Sequence, residues 1–193
     1  MTQKRANVFG LGLIGGSLGL ALISRGWHVT GCDSVGDIER QALSLGIIHQ
    51  IGVDRDADIT FVATPVSSIA EQVVRALTET TGLVTDVGGV KAHLVGQIND
   101  PRFIGGHPMA GSELIGLAGA DAKLSESAVW VLTPSVGISD SNFEQVAGVV
   151  TELGAEIVVL DPQRHDQLVA IVSHLPHLTA AALMGLASER SEE

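Results

Sequence analysis

The sequence is poor in cysteine, in aromatic residues and in positive charge. Its single cysteine, Cys32, permits no disulfide within the chain, which favours a reducing cytoplasm. There is no tyrosine and only 3% of the residues are aromatic, so little is available for stacking on nucleic-acid bases. The net charge of −11 argues against nucleic acid and anionic membranes as partners. No uninterrupted apolar run reaches the ~20 residues of a membrane span. We therefore predict a cytoplasmic protein with neither partner.

Short apolar segments alternate with helical patterns along most of the chain. Strands are predicted at 6–10, 28–32, 59–63, 83–87, 103–106, 129–132 and 157–160. Such alternation is typical of an α/β fold, doubly wound around a mainly parallel sheet. A glycine-rich, polar segment at 109–127 is long enough to predict a functional loop. From Asp161 onward only helix is predicted, interrupted at Pro176.

A glycine motif lies where the first strand should turn into the first helix. Gly10, Gly12 and Gly15 form a GxGxxG pattern around Leu13 and Ile14. The first glycine permits a tight turn, the second lets the backbone approach a pyrophosphate, and the third lets the helix pack on the sheet. The helix N-terminus then faces the negative charge of the ligand. A glycine turn kept for packing alone is the alternative, but the strand–turn–helix context favours a Rossmann-like, dinucleotide-binding domain.

Asp33 bears on which dinucleotide binds. It lies 18 residues beyond Gly15 at the predicted end of the second strand, where a carboxylate can accept hydrogen bonds from ribose hydroxyls. A carboxylate there repels a 2′-phosphate, and the adjacent Ser34 has no guanidinium to attract one. Arg40 is expected on the next helix, facing solvent. The sequence therefore predicts NAD as the cofactor, with NADP less favoured.

Other polar residues also follow predicted strands. Ligands of open α/β sheets bind outside the carboxyl ends of the strands, so Thr64, Pro65 and Asp86 join the predicted cofactor site. His107 lies at a further strand end, held extended by Pro108, and can exchange a proton near neutral pH. From position alone, a histidine at a strand end is more often structural than catalytic.

Four strings resemble one enzyme family in the right order. They are GLGLIGGSLGLAL (10–22), TDVGGVK (85–91), GGHPMAGSE (105–113) and HDQLVAIVSHLPH (165–177). Together they resemble the prephenate and arogenate dehydrogenases of tyrosine biosynthesis, and the last two are specific to that family. The resemblance implies an NAD-dependent oxidative decarboxylation of prephenate to 4-hydroxyphenylpyruvate. It assigns His107 as the catalytic base for the ring C4 hydroxyl, and Ser112, Glu113 and His177 as substrate-binding residues.

The sequence departs from that family in two places. Gly89 stands where family members usually carry a serine that helps hold the C4 hydroxyl. Family members also continue into an all-helical dimerisation domain that supplies a substrate-binding arginine. We therefore expect 1–163 to be a dinucleotide-binding domain and 164–193 to be the start of a helical domain in a truncated member, whose full-length form is a homodimer. Near the expected site only Lys91 and Arg164 offer positive charge, so NAD binding should survive truncation better than substrate binding.

Alternative functions remain open. The substrate could be arogenate rather than prephenate, or the chain could bind NAD without turnover because the second domain is missing. A β-hydroxyacid dehydrogenase would need a catalytic Lys on a helix after the sheet domain, and no Lys follows there. A metal site could be drawn from three histidines and two aspartates, but no HExxH or paired CxxC supports it (His165, His174, His177, Asp161, Asp166). We predict no metal.

Overall fold

The computed structural model describes residues 3–191, which form one eight-stranded sheet flanked by seven α-helices. The strands are β1 (Arg5–Phe9), β2 (His28–Cys32), β3 (Gln50–Ile51), β4 (Ile59–Val62), β5 (Leu83–Asp86), β6 (Phe103–Pro108), β7 (Val129–Thr133) and β8 (Glu156–Val159). The helices are α1 (Leu13–Ser24), α2 (Gly36–Ser44), α3 (Val66–Glu79), α4 (Ala92–Gln97), α5 (Asp140–Glu152), α6 (Pro162–Val169) and α7 (Leu175–Ser191).

The strand order is β3-β2-β1-β4-β5-β6-β7-β8, which confirms the predicted doubly wound, mainly parallel sheet. The chain first builds outward from β1 through β2 to β3, then returns to β4 on the other side of β1. The connections from β1 and β4 therefore diverge, and they leave a crevice at the carboxyl ends of these two strands. The two-residue strand β3 was not predicted, because a strand so short has no periodicity.

Apolar side chains cover both faces of the sheet. Successive strand residues point to opposite sides, so Val8 belongs to one buried cluster and Phe9 to the other. Helices α1 and α5 cover the first face, whereas α3 and α4 cover the second. This double cover accounts for the continuous apolar runs from which a parallel sheet was predicted.

Strand β7 runs antiparallel to β6, although it is parallel to β8. The segment between β6 and β7 contains only a single 3₁₀ turn, Leu117–Gly119, and no helix that would carry the chain back across the sheet. A parallel pair needs such a crossover, so β7 starts at the carboxyl edge and runs the other way.

The predicted functional loop after β6 is anchored to α1. The amide of Asp121 donates a 2.9 Å hydrogen bond to the Ser17 hydroxyl of α1. A Cβ placed on Gly16 would lie 2.7 Å from Leu117 Cδ1, which shows how closely the loop approaches the helix. The loop thereby packs over the helix that follows the glycine motif.

The chain ends in a long helical segment, as predicted. Asp161 caps α6 by accepting hydrogen bonds from the amides of Gln163 and Arg164, and Pro162 occupies the first turn. A π-helical stretch, Ala170–His174, joins α6 to α7 just before Pro176. Proline cannot donate to the preceding turn and its ring crowds the carbonyl four residues back, which explains the wider turn.

This helical segment is apolar and exposed. Within Pro162–Ser188 the most apolar 18-residue window has a mean hydropathy of 1.5, and only 6% of that window is buried. Length and composition would allow it to cross a membrane, and they equally allow a protein surface to cover it. The cytoplasmic location and the absence of a membrane partner therefore stay predictions.

Candidate active site

The crevice beside β1 and β4 is a cavity of about 630 Å³. Eight of the ten residues predicted to bind a cofactor line it: Gly10, Gly12, Leu13, Ile14, Asp33, Ser34, Thr64 and Pro65. The remaining two predicted cofactor residues, Gly15 and Asp86, are absent from its lining. The sequence motif and the topological crevice thus coincide.

The three glycines of the motif have different surroundings. Gly10 has a positive φ of 88°, and a Cβ there would lie 2.6 Å from the Ala63 carbonyl oxygen. At Gly15 a Cβ would lie 1.8 Å from the carbonyl oxygen of Gly10, so this glycine lets α1 pack against the turn. A Cβ on Gly12 would meet nothing within 4 Å. The space above Gly12 is open for a ligand that approaches the backbone.

Asp33 ties the glycine turn to the end of β2. Its Oδ2 accepts a hydrogen bond of 2.8 Å from the Leu11 amide, and its Oδ1 accepts one of 2.9 Å from the Val35 amide. Oδ1 also accepts a longer contact of 3.5 Å from the Ser34 hydroxyl, whereas Oδ2 keeps a further lone pair with which to accept from a ligand hydroxyl. The side chain of Ser34 is exposed beside it, and Arg40 is an exposed partner of Asp37, as expected from the sequence.

Two features of the crevice fit an anionic dinucleotide. No side chain caps the N-terminus of α1 at Gly12, and no acidic residue lies in its first turn, so its amides can face a pyrophosphate. The Thr64 hydroxyl is buried without a hydrogen-bond partner within residues 3–191, in a residue that lines the crevice. A ligand hydroxyl or phosphate would satisfy this group.

Arg75 is a crevice residue that was not predicted. It lies over the Phe9 ring at 5.0 Å, and its Nη1 is 4.0 Å from the Cys32 sulfur. Arg75 thus places a cation beside Cys32, although burial still raises the pKa of this thiol to about 11. A signal was present: Ser68, Gln72 and Arg75 recur at helical spacing on α3, next to its apolar stripe, and all three line the crevice.

Asp86 and Lys91 form a buried ion pair below the crevice. Both side chains are fully buried, and the Lys91 ammonium donates to Asp86 Oδ2. Asp86 also accepts from the amides of Gly88 at 2.8 Å and Gly106 at 3.1 Å. The structure thus corrects two expectations: Asp86 holds the backbone around β5 and β6 instead of facing the cofactor crevice, and Lys91 is not free to attract a substrate anion.

His107 lies within β6, opposite Val131 of β7, and its side chain is half-buried. A Cβ placed on Gly89 would lie 3.6 Å from His107 Nε2, so this nitrogen points to the segment after β5. Burial is the largest cause that lowers the pKa of His107 to about 4, followed by the neighbouring groups His165, Lys91 and His174, with Asp166 acting in the opposite direction. At neutral pH the imidazole is therefore uncharged and can accept a proton.

The other ring nitrogen of His107 contacts α6. His107 Nδ1 lies 2.9 Å from Nε2 of the buried His165, whose Nδ1 is 2.7 Å from Asp166 Oδ1. Asp166 in turn accepts from the amides of Lys91 at 2.8 Å and Ala92 at 2.9 Å. Sequence reasoning had considered His165 and Asp166 only as metal ligands. The adjacent His165 and Asp166 at the start of the string 165–177 were a signal for a polar pair. They gave no signal that this pair contacts His107.

The residues expected to bind substrate lie on the surface. Ser112 and Glu113 are exposed in the loop after β6, and the Ser112 hydroxyl accepts a 3.2 Å hydrogen bond from the Leu114 amide. His177 is exposed on α7, where its Nδ1 lies 2.8 Å from the Ser173 carbonyl oxygen. In the described range 3–191 no hydrogen bond joins any of the three to His107. Their substrate roles stay predictions.

Over the same described residues, no group of three or more His, Cys, Asp or Glu side chains is arranged to hold a metal ion. Of the cations near the site, Arg75 lines the crevice, Arg164 is exposed, and Lys91 is paired and buried. The candidate site therefore consists of a dinucleotide-type crevice and one uncharged histidine beside it.

A doubly wound sheet with a glycine turn, an aspartate lining the crevice at the end of β2 and an uncharged histidine at its carboxyl edge is typical of dinucleotide-dependent dehydrogenases. Comparison with known proteins gives the family within that class. The family model described as "Prephenate dehydrogenase, nucleotide-binding domain" matches residues 18–159, and the one described as "Prephenate dehydrogenase, dimerization domain" matches 161–193. The chain belongs to the prephenate dehydrogenase family.

Individual relatives agree with this assignment. Prephenate dehydrogenase of Bacillus subtilis is 34% identical over 95% of this chain and 54% of its own length. The crystal structure of A. aeolicus prephenate dehydrogenase with hydroxyphenyl propionate and NAD+ superposes with a TM-score of 0.89 at 29% identity, covering 96% of this chain and 70% of that one. Synechocystis arogenate dehydrogenase gives a TM-score of 0.85 at 34% identity, covering 94% and 68%. The chain spans about half the length of the curated relatives it matches.

Proposed function

We propose that this protein binds NAD+ in the crevice and oxidatively decarboxylates prephenate, with His107 as the catalytic base. The observation that carries the proposal is the uncharged His107 imidazole, half-buried at the carboxyl edge of the sheet that also holds the dinucleotide crevice. The match to prephenate dehydrogenases supports the reaction class. Asp33 favours NAD over NADP, because its carboxylate would repel a 2′-phosphate.

In this reaction, bound NAD+ supplies the acceptor for the hydride that leaves ring C4. His107 Nε2 accepts the proton of the C4 hydroxyl as that carbon becomes a carbonyl. The bond from the ring to its carboxylate then breaks as CO₂ departs; its electron pair completes the aromatic ring and moves charge onto the C4 oxygen, which takes the proton back from His107. Aromatisation drives the reaction, so the protein mainly orients the ring and accepts one proton.

The proposal is tested by supplying the purified protein with NAD+ and either prephenate or arogenate, and following reduced cofactor and CO₂. Formation of both products in equal amounts with prephenate supports it. Turnover of arogenate alone would replace the substrate while keeping the chemistry.

A second candidate function is NAD+ binding without turnover. It is favoured by the exposure of Ser112, Glu113 and His177 and by the pairing of Lys91, which leave few described groups to hold a dicarboxylate. Calorimetry showing NAD+ binding, together with no product from either substrate, would support this candidate and overturn the first.

A substitution of Gly12 tests the cofactor site. Gly12→Ala should weaken NAD+ binding by about tenfold or more, because the added methyl group occupies the open space where the pyrophosphate approaches the backbone. Stability should hardly change, since that methyl group meets no protein atom within 4 Å. The matched control is Gly96→Ala on α4, which is exposed and also meets nothing. Equal NAD+ affinities of the two variants by calorimetry would contradict this placement.

A substitution of Gly89 tests the unusual glycine next to the base. Gly89→Ser should raise kcat by about fivefold, the worth of one added hydrogen bond to the substrate hydroxyl. The site has room, since the new Cβ would lie at ordinary contact distance from His107. Gly88→Ser is the contrast, because a Cβ there would lie 2.5 Å from Ile69 Cδ1 and should lower the melting temperature. A lower kcat in Gly89→Ser with unchanged stability would show that the backbone or water serves better.

A further inference from the structure

We propose that Asp166 and His165 are positioning residues that hold His107 with its proton on Nδ1 and its lone pair on Nε2. This inference rests on the proposed role of His107 as a proton acceptor and concerns the tautomer of its ring. A histidine ring with one proton has two tautomers, and only the one with an unprotonated Nε2 can accept a proton on the side that faces Gly89.

Asp166 fixes the direction of the chain of hydrogen bonds. Its Oδ1 accepts from the Lys91 amide at 2.8 Å and its Oδ2 from the Ala92 amide at 2.9 Å, so both oxygens are acceptors. Although burial works against it, the hydrogen bonds from His165 and from the two amides lower the pKa of Asp166, which keeps it ionised. The 2.7 Å contact to His165 Nδ1 therefore requires a proton on that nitrogen.

The proton on His165 Nδ1 also determines which ring donates in the hydrogen bond between His165 and His107. In the singly protonated form of His165 that we propose, the proton on Nδ1 leaves Nε2 unprotonated, and Nε2 accepts the hydrogen bond from His107 Nδ1 at 2.9 Å. The His107 proton is thereby held on the side of α6, away from Gly89. Within the part of the chain that the structure describes, Nε2 of His107 has no hydrogen-bond partner, so its lone pair is left for the substrate.

The same groups also affect the product of proton transfer: Asp166 favours the imidazolium of His107, whereas His165, Lys91 and His174 disfavour it. When His107 Nε2 takes a proton, the ring becomes an imidazolium and its Nδ1–H still donates to His165. The charged groups facing this ring are Asp166 and Lys91, and the titratable ones are His165 and His174. Of these, Asp166 is the anion, and it acts through the polarised His165 ring. All four lie on or next to α4 and the segment from α6 to the start of α7.

The tautomers can be read directly in the unaltered protein. Nitrogen-15 labelling of the seven histidines and long-range proton–nitrogen correlation spectra at neutral pH distinguish Nδ1–H from Nε2–H, with signals assigned by comparison with His107→Asn and His165→Leu. We expect the Nδ1–H form for both His107 and His165. A proton on Nε2 of His107, or a doubly protonated His165, would overturn the proposal. This readout needs no turnover, so it stays decisive even if the proposed reaction fails.

The kinetics of two substitutions at His165 give a second test. His165→Gln keeps an acceptor for His107 Nδ1 in its side-chain oxygen, whereas His165→Leu removes it. We expect His165→Leu to lower kcat on the order of 10²-fold with little change in KM, and His165→Gln to recover most of this loss. Equal kcat for His165→Leu and the unaltered protein would overturn the positioning role. Equal losses in both variants, with native melting temperatures, would also overturn it.

Discussion

Replacing His107 by asparagine should lower kcat by 10²- to 10⁴-fold, on the order of what a positioned general base contributes. Asparagine keeps the size and polarity of the side chain but accepts no proton. Affinity for NAD+ should stay unchanged, because His107 does not line the cofactor crevice. Steady-state kinetics with prephenate measure kcat, and calorimetric titration with NAD+ measures the affinity.

The control is His93→Asn on α4, an exposed histidine whose replacement should leave kcat as it is. The pH profile gives a further check. Since the pKa of His107 is lowered to about 4, the uncharged form persists as the pH falls, and kcat/KM should decline only below about pH 5. A histidine with its ordinary pKa would already lose activity near about pH 6.5. Near-normal turnover in His107→Asn would remove His107 from the mechanism.

Removing one partner of the buried ion pair should be the most destabilising single change. Lys91→Met leaves the Asp86 carboxylate fully buried without its cation, which should cost about 3–5 kcal/mol of unfolding free energy. For a domain of this size that corresponds to a fall in melting temperature of about 6–20 °C. Differential scanning calorimetry or urea titration measures the change.

A double variant separates the charge from the packing. Asp86→Asn combined with Lys91→Met removes both charges, and it should recover a substantial part of the loss, because no charge is left buried without a partner. Lys123→Met is the matched surface control, since Lys123 is exposed and should change stability by less than about 0.5 kcal/mol. If Lys91→Met were as mild as this control, the pair would not be the structural element we describe.

The fold and the cofactor half of the site could be predicted because both depend on local patterns. Gly10 and Gly12 belong to a motif whose spacing alone requires a strand, a turn and a helix, and Asp33 follows the next strand at the expected distance. The mainly parallel sheet followed from the apolar runs. Two details of the sheet were not predicted. Strand β3 is too short to show a periodic pattern, and the antiparallel direction of β7 follows from the absence of a crossover helix between β6 and β7.

The surroundings of His107 could not be predicted, because they depend on residues far apart in sequence. His165 meets His107 across 58 positions, and Asp166 meets Lys91 across 75. The pairing of Asp86 with Lys91 is closer in sequence, but burial of both charges depends on how α4 packs. Periodicity assigns each of these residues to an element. It does not say which elements meet at their ends.

The packing of α6 against the start of α4 links the proposed proton transfer to the docking of the helical segment. Asp166 reaches the amides of Lys91 and Ala92 only when α6 is docked, and α6 lies in the region matched by the dimerization-domain model. On the roles proposed above, a protein whose helical segment is displaced would lose the contact of His165 and Asp166 with His107, and both tautomers of the His107 ring would become accessible. A protein in this state would still bind a dinucleotide, but we expect it not to reduce that dinucleotide. If His107 is the base we propose, docking of α6 is the step that prepares it to accept a proton.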